Sequence, residues 1–201
     1  MTLAQAIAAR DTQRALSLLA ASPALASVRF AAGATRQDAK TFHIDAINHY
    51  VYAGDTALHV AAAAYCAEIV QELIAIGADV HARNRRGAEP LHCAADGVPG
   101  SRAWNPEAQA ATIARLIAAG ADPNAVDKSG VAPLHRAVRT RCAAAVKALL
   151  DSGADGRRPN KTGSTPALLA TQSTGRGGSG STEAKAQQQM ILRLLEERGA
   201  A

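Results

Sequence analysis

Residues Gly130–His135 read Gly-Val-Ala-Pro-Leu-His, and related hexapeptides recur along the chain. The four copies start at Gly54, Gly87, Gly130 and Gly163. Successive copies are therefore 33, 43 and 33 residues apart. A nearly fixed spacing of this kind is the signature of a repeat architecture. The sequence therefore predicts a 33-residue structural unit, with about ten extra residues inserted in one copy.

The residues at fixed places in each copy predict two helices per unit. Pro133 and its equivalents suit the first helical position, where the backbone needs no amide donor. A second marker, Gly-Ala-Asp, follows the first three hexapeptides and starts at Gly77, Gly120 and Gly153. Glycine ends helices because it takes positive φ without strain. The apolar stripe of Ile69, Val70 and Leu73, just before the first of these markers, indicates a helix with one buried face.

This combination of markers resembles the ankyrin repeat family, in a bacterial-type form with insertions, over nearly the whole chain. The resemblance implies an all-α repeat solenoid of helix-turn-helix units with short β-hairpin loops. It predicts one domain over residues 1–201. Its parts would be an N-terminal capping helix pair (1–21), an inserted hairpin or loop (22–53) and repeats over 54–87, 88–130, 131–163 and 164–201.

Three insertions interrupt the expected repeats, at residues 22–53, 97–108 and 173–182. The first insertion holds four of the six aromatic residues, namely Phe30, Phe42, Tyr50 and Tyr52. The second holds the single tryptophan, Trp104, and the third is rich in glycine and serine, which predicts a flexible loop. These aromatic side chains either pin the insertions to the repeats or form a recognition site.

Basic residues recur where the ankyrin resemblance places an exposed groove. The candidate partner-binding residues are Tyr52, Arg85, Arg86, Lys128 and Lys161 at the loop tips, Arg136 and Arg139 on the first helices, and Trp104 in the second insertion. The chain carries a formal net charge of +5. Such a surface favours an acidic protein or peptide as partner. Nucleic acid is disfavoured, because the charge is modest and no regular row of aromatic residues offers a stacking platform.

The histidines give little support for a catalytic or metal site. His59, His92 and His135 occupy the same repeat position, which separates them by about one helix-packing distance, roughly 10 Å. The family resemblance implies that each bonds to the backbone of a neighbouring loop. The remaining candidates for ligand binding or acid–base chemistry are His43, Asp45, His49 and Tyr50 in the first insertion. We predict no catalytic residues, no metal and no cofactor.

The sequence thus favours a non-enzymatic protein-interaction module in the cytoplasm. The alternative is a small-molecule-binding protein or enzyme that uses insertion 22–53 and the Trp104 loop. No apolar stretch approaches the roughly 18 residues of a membrane helix, so a membrane role is not expected. The first residues lack the pattern of a signal peptide, and three cysteines argue against a disulfide framework.

Overall fold

A computed structural model describes residues 2–172 and 181–200, which contain ten α-helices and one two-stranded hairpin. The helices are α1 (Leu3–Ala8), α2 (Thr12–Ala21), α3 (Ala57–Ala63), α4 (Ala67–Ala75), α5 (Pro90–Ala95), α6 (Pro106–Ala118), α7 (Pro133–Arg139), α8 (Ala143–Asp151), α9 (Pro166–Thr171) and α10 (Thr182–Glu197). The strands are β1 (His43–Ile44) and β2 (His49–Tyr50). Within these described ranges, no helix has the length and apolar character needed to span a bilayer.

The helices stack in two parallel rows. Helices α1, α3, α5, α7 and α9 contact one another in sequence and form the inner row, while α2, α4, α6, α8 and α10 form the outer row. Fully buried alanines such as Ala61, Ala62 and Ala94 keep the inner helices thin, so neighbouring repeats approach closely. Leu73, Leu116 and their equivalents from the outer row fill the space between the rows. This is a helical solenoid, as the spacing predicts.

A histidine completes the start of each of three inner helices. The Nδ1 atom of His59 accepts a hydrogen bond of 3.1 Å from the amide of Thr56, and His92 does the same for Glu89. The third pair joins His135 to the amide of Ala132, at 3.2 Å. One otherwise unpaired helix-start amide is satisfied in each case.

The first insertion is fastened to the first repeat by its backbone. The amide of Phe30 donates to the carbonyl of Asp55, and the amide of Gly54 donates back to the carbonyl of Phe30, both at 2.8 Å. The insertion contains three short 3₁₀-helices, at Pro23–Ala26, Lys40–Phe42 and Asp45–Ile47, and the hairpin in which β1 pairs antiparallel with β2. A Cβ atom on Gly33 would lie 2.3 Å from the amide nitrogen of Ala53. Only glycine therefore fits where the insertion passes so close to the backbone of Ala53.

The loops that contain Gly54, Gly87, Gly130 and Gly163 are tight turns that stack against one another. We call them the first to fourth fingers. The amide of Arg85 donates to Ala53 at 2.7 Å, that of Lys128 to Arg86 at 2.9 Å, and that of Lys161 to Ser129 at 3.0 Å. Each bond joins one finger to the next, so the fingers form one continuous edge of the solenoid. The third insertion lies mostly in residues 173–180, outside the described residues.

Candidate ligand-binding groove

A cavity of about 500 Å³ lies between the fingers and the inner helices, partly open to solvent. The first insertion and the second both border it, although they are far apart in sequence. We call it the insertion pocket and define it by His49, Tyr52, Asp96, Trp104, Asp127 and Arg136. It is therefore a feature of the insertions as much as of the repeats.

The first two fingers hold an aromatic–cation cluster at the rim of the pocket. The guanidinium of Arg86 lies 5.1 Å from the ring centroid of Tyr52 and donates a 3.1 Å hydrogen bond to its hydroxyl. The guanidinium of Arg85 lies 5.8 Å from the same centroid and donates to the carbonyl of Ala34. Tyr52 is half-buried, whereas both arginines are exposed. The predicted finger-tip residues of the first two fingers are thus in contact.

Lys128 and Lys161 extend this row of cations along the next two fingers, and both side chains are exposed. Within residues 2–172 and 181–200, the ion pairs involve neither these lysines nor Arg85 or Arg86. The structure therefore presents four cationic side chains on one edge without a carboxylate partner among the described residues.

Arg136 does not lie free in the groove as expected. It is only 8% exposed, and it pairs with the carboxylates of Asp96 at 2.9 Å and Asp127 at 3.2 Å. Burial alone would lower the pKa of Arg136, but Asp96 and Asp127 outweigh it and raise the pKa. Because two carboxylates already balance its charge, Arg136 is not a surface contact for an acidic partner. Arg139, one helical turn further on, is half-buried and also lines the cavity.

Asp127 holds both the backbone of its own finger and the side chain of Arg136. Its Oδ1 accepts hydrogen bonds from the amides of Ser129 at 2.8 Å and Val131 at 3.1 Å, while Oδ2 faces Arg136. Burial acts to raise the pKa of Asp127, but these amides and the Arg136 charge lower it overall. Asp127 is therefore a carboxylate at neutral pH.

Trp104 forms the far wall of the insertion pocket. Its Nε1 donates a 3.1 Å hydrogen bond to Oε1 of Gln109, whose side-chain nitrogen in turn donates to the carbonyl of Ala94 at 2.9 Å. A Cβ on Gly97 would lie 2.6 Å from Sγ of Cys142 and 3.1 Å from Cδ1 of Trp104. The indole is thus held against the end of α5, half-buried, and not displayed as an isolated surface residue.

The three repeat histidines bond to the backbone of the following finger, as the family resemblance implies. Nε2 of His59 contacts the carbonyl of Ala88 at 3.2 Å, and Nε2 of His92 contacts that of Val131 at 3.0 Å. His135 makes the equivalent 3.1 Å contact with Ser164. Burial lowers the pKa of all three, that of His92 to about 3. They are neutral structural groups at pH 7.

The structure separates the acid–base candidates of the first insertion. His43 contacts Oδ1 of Asp45 at 2.7 Å through Nδ1, and its ring lies 4.5 Å from that of Tyr50, centroid to centroid. His49 is instead buried and lines the insertion pocket, where neither His43 nor Asp45 is found. Burial lowers the pKa of His49 to about 4. In the part of the chain that the structure describes, no group of three or more His, Cys, Asp or Glu side chains is arranged to hold a metal.

The cysteines do not supply an activated nucleophile. Cys66, Cys93 and Cys142 are all free thiols. Burial raises the pKa of each, that of Cys142 to about 11 and that of Cys93 well above its usual range. A thiol with a raised pKa is a poor nucleophile at pH 7.

Comparison with known families agrees with this geometry. A model of the single ankyrin repeat matches residues 53–85, and a model of ankyrin repeats in three copies matches residues 103–199. The chain belongs to the ankyrin repeat family. Ankyrin repeats generally mediate protein–protein interaction. No curated protein matches the sequence of this ankyrin repeat protein.

Sequence reasoning missed the polar residues at the base of the fingers. Asn84, Asp127 and Asn160 each stand three residues before the hexapeptide glycine of their finger. Each accepts, through Oδ1, the amides two and four residues further along the chain. Their shared register was a usable signal in this ankyrin repeat protein. Asp96 gave no such signal, because it stands directly before the second insertion and has no acidic equivalent in the other repeats.

Proposed function

We propose that this ankyrin repeat protein is a non-enzymatic interaction module that binds an acidic protein or peptide along its groove. The observation that carries the proposal is the row of exposed cations on the stacked fingers. Arg85, Arg86, Lys128 and Lys161 stand on one edge without carboxylate partners among the described residues. Arg136 is excluded from this contact set because its charge is already balanced.

The stacking of the fingers makes the cations act together. Backbone hydrogen bonds link each finger to the next, so the four charges keep a fixed order along one edge. Fields from like charges on one edge add, and an acidic ligand approaching that edge is attracted by all of them. This attraction raises the rate of encounter more than it raises intrinsic affinity.

Tyr52 and Trp104 supply the contact area that charges alone lack. Both rings are half-buried and border the same cavity. Aromatic side chains with few rotamers are favoured at the centre of interfaces, where they slow dissociation. We therefore assign encounter to the finger cations and retention to the two aromatic residues.

The three free cysteines fit a reducing compartment, and we place the protein in the cytoplasm on that ground.

The test is direct binding of a fluorescein-labelled, glutamate-rich peptide, followed by fluorescence anisotropy. The triple variant Arg86→Ala/Lys128→Ala/Lys161→Ala removes three finger cations. The matched control, Arg14→Ala/Lys185→Ala/Arg193→Ala, removes the same net charge from exposed positions on α2 and α10. We expect binding to weaken at least about tenfold in the finger variant and little in the control. Equal weakening in both would show that net charge, and not the fingers, governs binding.

A further inference from the structure

Three cations occupy the same position in three successive fingers. Arg85, Lys128 and Lys161 each stand two residues before the glycine of the second, third and fourth finger, and all three side chains are exposed. The residue directly after each of them lines the insertion pocket. The cations therefore form a row along one border of the cavity, and a ligand that meets all three must match their spacing.

The backbone hydrogen bonds of the fingers set the spacing of this row. Within the third finger, the amide of Asp127 donates to the carbonyl of Val131 at 3.0 Å. The amide of Lys128 donates to the carbonyl of Arg86 in the second finger at 2.9 Å. The fourth finger makes the same two bonds, both at 3.0 Å. Each finger thus adds two hydrogen-bonded backbone spacings of about 4.8 Å, which together give about 9.6 Å.

The two lysine side chains leave their fingers in the same direction. Cγ of Lys128 lies 3.1 Å from the position that a Cβ atom on Gly87 would take, and Cγ of Lys161 lies 3.2 Å from the equivalent position on Gly130. Each aliphatic stem therefore crosses the glycine of the preceding finger. Because both stems start alike, the two ammonium groups keep the spacing of the backbone.

Among regular peptide conformations, the polyproline II helix fits this spacing best. It has three residues per turn and rises about 3.1 Å per residue, so every third side chain lies on one face, about 9.3 Å from the next. A β-strand repeats its face about every 6.6 Å. Seven residues of an α-helix span about 10.5 Å, so a helical ligand falls about 2 Å out of step over the three cations.

The wall of the neighbouring pocket also suits a polyproline II ligand. All three tyrosines of the chain and its single tryptophan line the cavity, namely Tyr50, Tyr52, Tyr65 and Trp104. Proline-rich segments in this conformation dock in grooves lined by aromatic side chains, because the preformed helix loses little entropy on binding. This observation is independent of the cation spacing, and it points to the same conformation.

We propose that the acidic partner binds as a polyproline II segment with glutamate or aspartate at every third position and proline between them. The acidic face contacts Arg85, Lys128 and Lys161, and the adjacent prolines face Tyr52 and Trp104. The proposal rests on the function proposed above, since it specifies the sequence pattern and the conformation of the peptide that the fingers bind.

Two peptides of identical composition test the spacing. One is three repeats of Glu-Pro-Pro, and the other is Glu-Pro-Pro-Pro-Glu-Pro-Pro-Pro-Glu. Proline keeps both in the polyproline II conformation, but only the first places its glutamates on one face. With fluorescein-labelled peptides, anisotropy should show at least about fivefold tighter binding of the first, because the second meets one cation at a time. Equal affinities, or tighter binding of the second peptide, would overturn the proposal.

The variant Lys128→Ala/Lys161→Ala tests whether the fingers cause the preference. We expect this variant to bind the two peptides equally, because a single cation of the row remains. The matched control, Lys185→Ala/Arg193→Ala, removes the same charge from exposed positions on α10 and should keep the preference. A preference that survives in the finger variant would contradict the assignment to these lysines.

The emission of Trp104, the single tryptophan of the chain, reports the position of the prolines. Unlabelled peptide with three Glu-Pro-Pro repeats should change this emission over the same concentration range as the anisotropy. Binding without any change in emission would mean that the prolines do not face the pocket.

The glutamate-rich peptide described above separates this proposal from the finger proposal. If that peptide binds through the finger cations and the Glu-Pro-Pro peptide does not bind, the polyproline II proposal fails and the finger proposal stands. Tighter binding of a helical peptide with glutamate at every seventh residue has the same meaning. If Arg86→Ala/Lys128→Ala/Lys161→Ala binds both peptides as tightly as the wild type does, both proposals fail.

Discussion

Arg86 and Tyr52 come from different fingers and are joined by two interactions at once. The guanidinium lies 5.1 Å from the ring centroid and also donates a 3.1 Å hydrogen bond to the phenol oxygen. A long exposed arginine normally samples many rotamers, which costs entropy when it binds a partner. Tyr52 limits that freedom, so the arginine is held in place at the rim of the pocket before any ligand arrives.

The Arg86–Tyr52 pair should show a measurable coupling energy. A double-mutant cycle with Tyr52→Leu and Arg86→Ala isolates it, read from the free energy of unfolding in urea. We expect about 0.5–1 kcal/mol, the usual range for an exposed cation–π contact. Tyr52→Phe keeps the ring and should retain part of the coupling. A coupling energy of zero would mean that the two side chains do not interact in solution.

The second insertion should depend on glycine at position 97. In Gly97→Ala the new Cβ would meet Cys142, Tyr65 and Trp104 at 2.6, 2.9 and 3.1 Å. Overpacking of this kind costs about 1–3 kcal/mol, and displacement of the indole should shift the emission of Trp104. Gly100→Ala is the control, since its Cβ meets nothing within 4 Å although its φ is +84°. The control should lose about 1 kcal/mol without a change in emission. Identical spectra for the two variants would argue against the packing described for Gly97.

Stability should fall as the pH drops below about 6.5. The folded pKa of His92 is lowered to about 3 and that of His49 to about 4, whereas an unfolded histidine titrates near 6.5. Between these values the unfolded chain binds protons that the folded chain does not, so acid favours unfolding. Each such histidine lowers the free energy of unfolding by about 1.4 kcal/mol for every unit that the pH falls in that window. Urea unfolding at several pH values between 7.5 and 5 measures the slope, and His92→Gln should flatten it. A flat profile in the wild type would contradict the buried neutral histidines.

The stacked core should be sensitive to truncation of the outer helices. Leu116 on α6 is fully buried, and Leu116→Ala should cost about 2–5 kcal/mol. Leu168 on α9 is 46% exposed, and Leu168→Ala should cost less than about 1 kcal/mol. Chemical denaturation of both variants provides the comparison. Similar losses in the two would be inconsistent with the burial of Leu116.

Features that repeat could be predicted from the sequence. The spacing of Pro90, Pro133 and Pro166 indicated where the inner helices begin, and these residues do start α5, α7 and α9. The roles of His59 and His92 followed from the family resemblance, because a residue in a repeated position meets the same neighbours each time. Local rules and nearest-neighbour stacking decide such features.

Features of the insertions could not be predicted, because their contacts are made once and over long sequence distances. Arg136 was expected to be a free cation, but Asp96, forty residues earlier, returns to pair with it. His49 was grouped with His43 by proximity in sequence. In the hairpin, however, His43 contacts Asp45, whereas His49 lines the insertion pocket. Neither outcome follows from periodicity, since Asp96 has no acidic equivalent in the other repeats and His49 lies within the first insertion.

If the finger cations capture an acidic partner, their effect should be visible in the rate of association. Stopped-flow mixing with the glutamate-rich peptide, at low and at physiological salt, compares the wild type with Arg86→Ala/Lys128→Ala/Lys161→Ala. At physiological salt, charges act over only about 8 Å, so a steered encounter is slowed by salt. We predict that the wild-type rate falls steeply with salt, and that the variant associates slowly with little salt dependence. Equal rates and equal salt dependence in the two proteins would show that the finger cations do not capture the peptide.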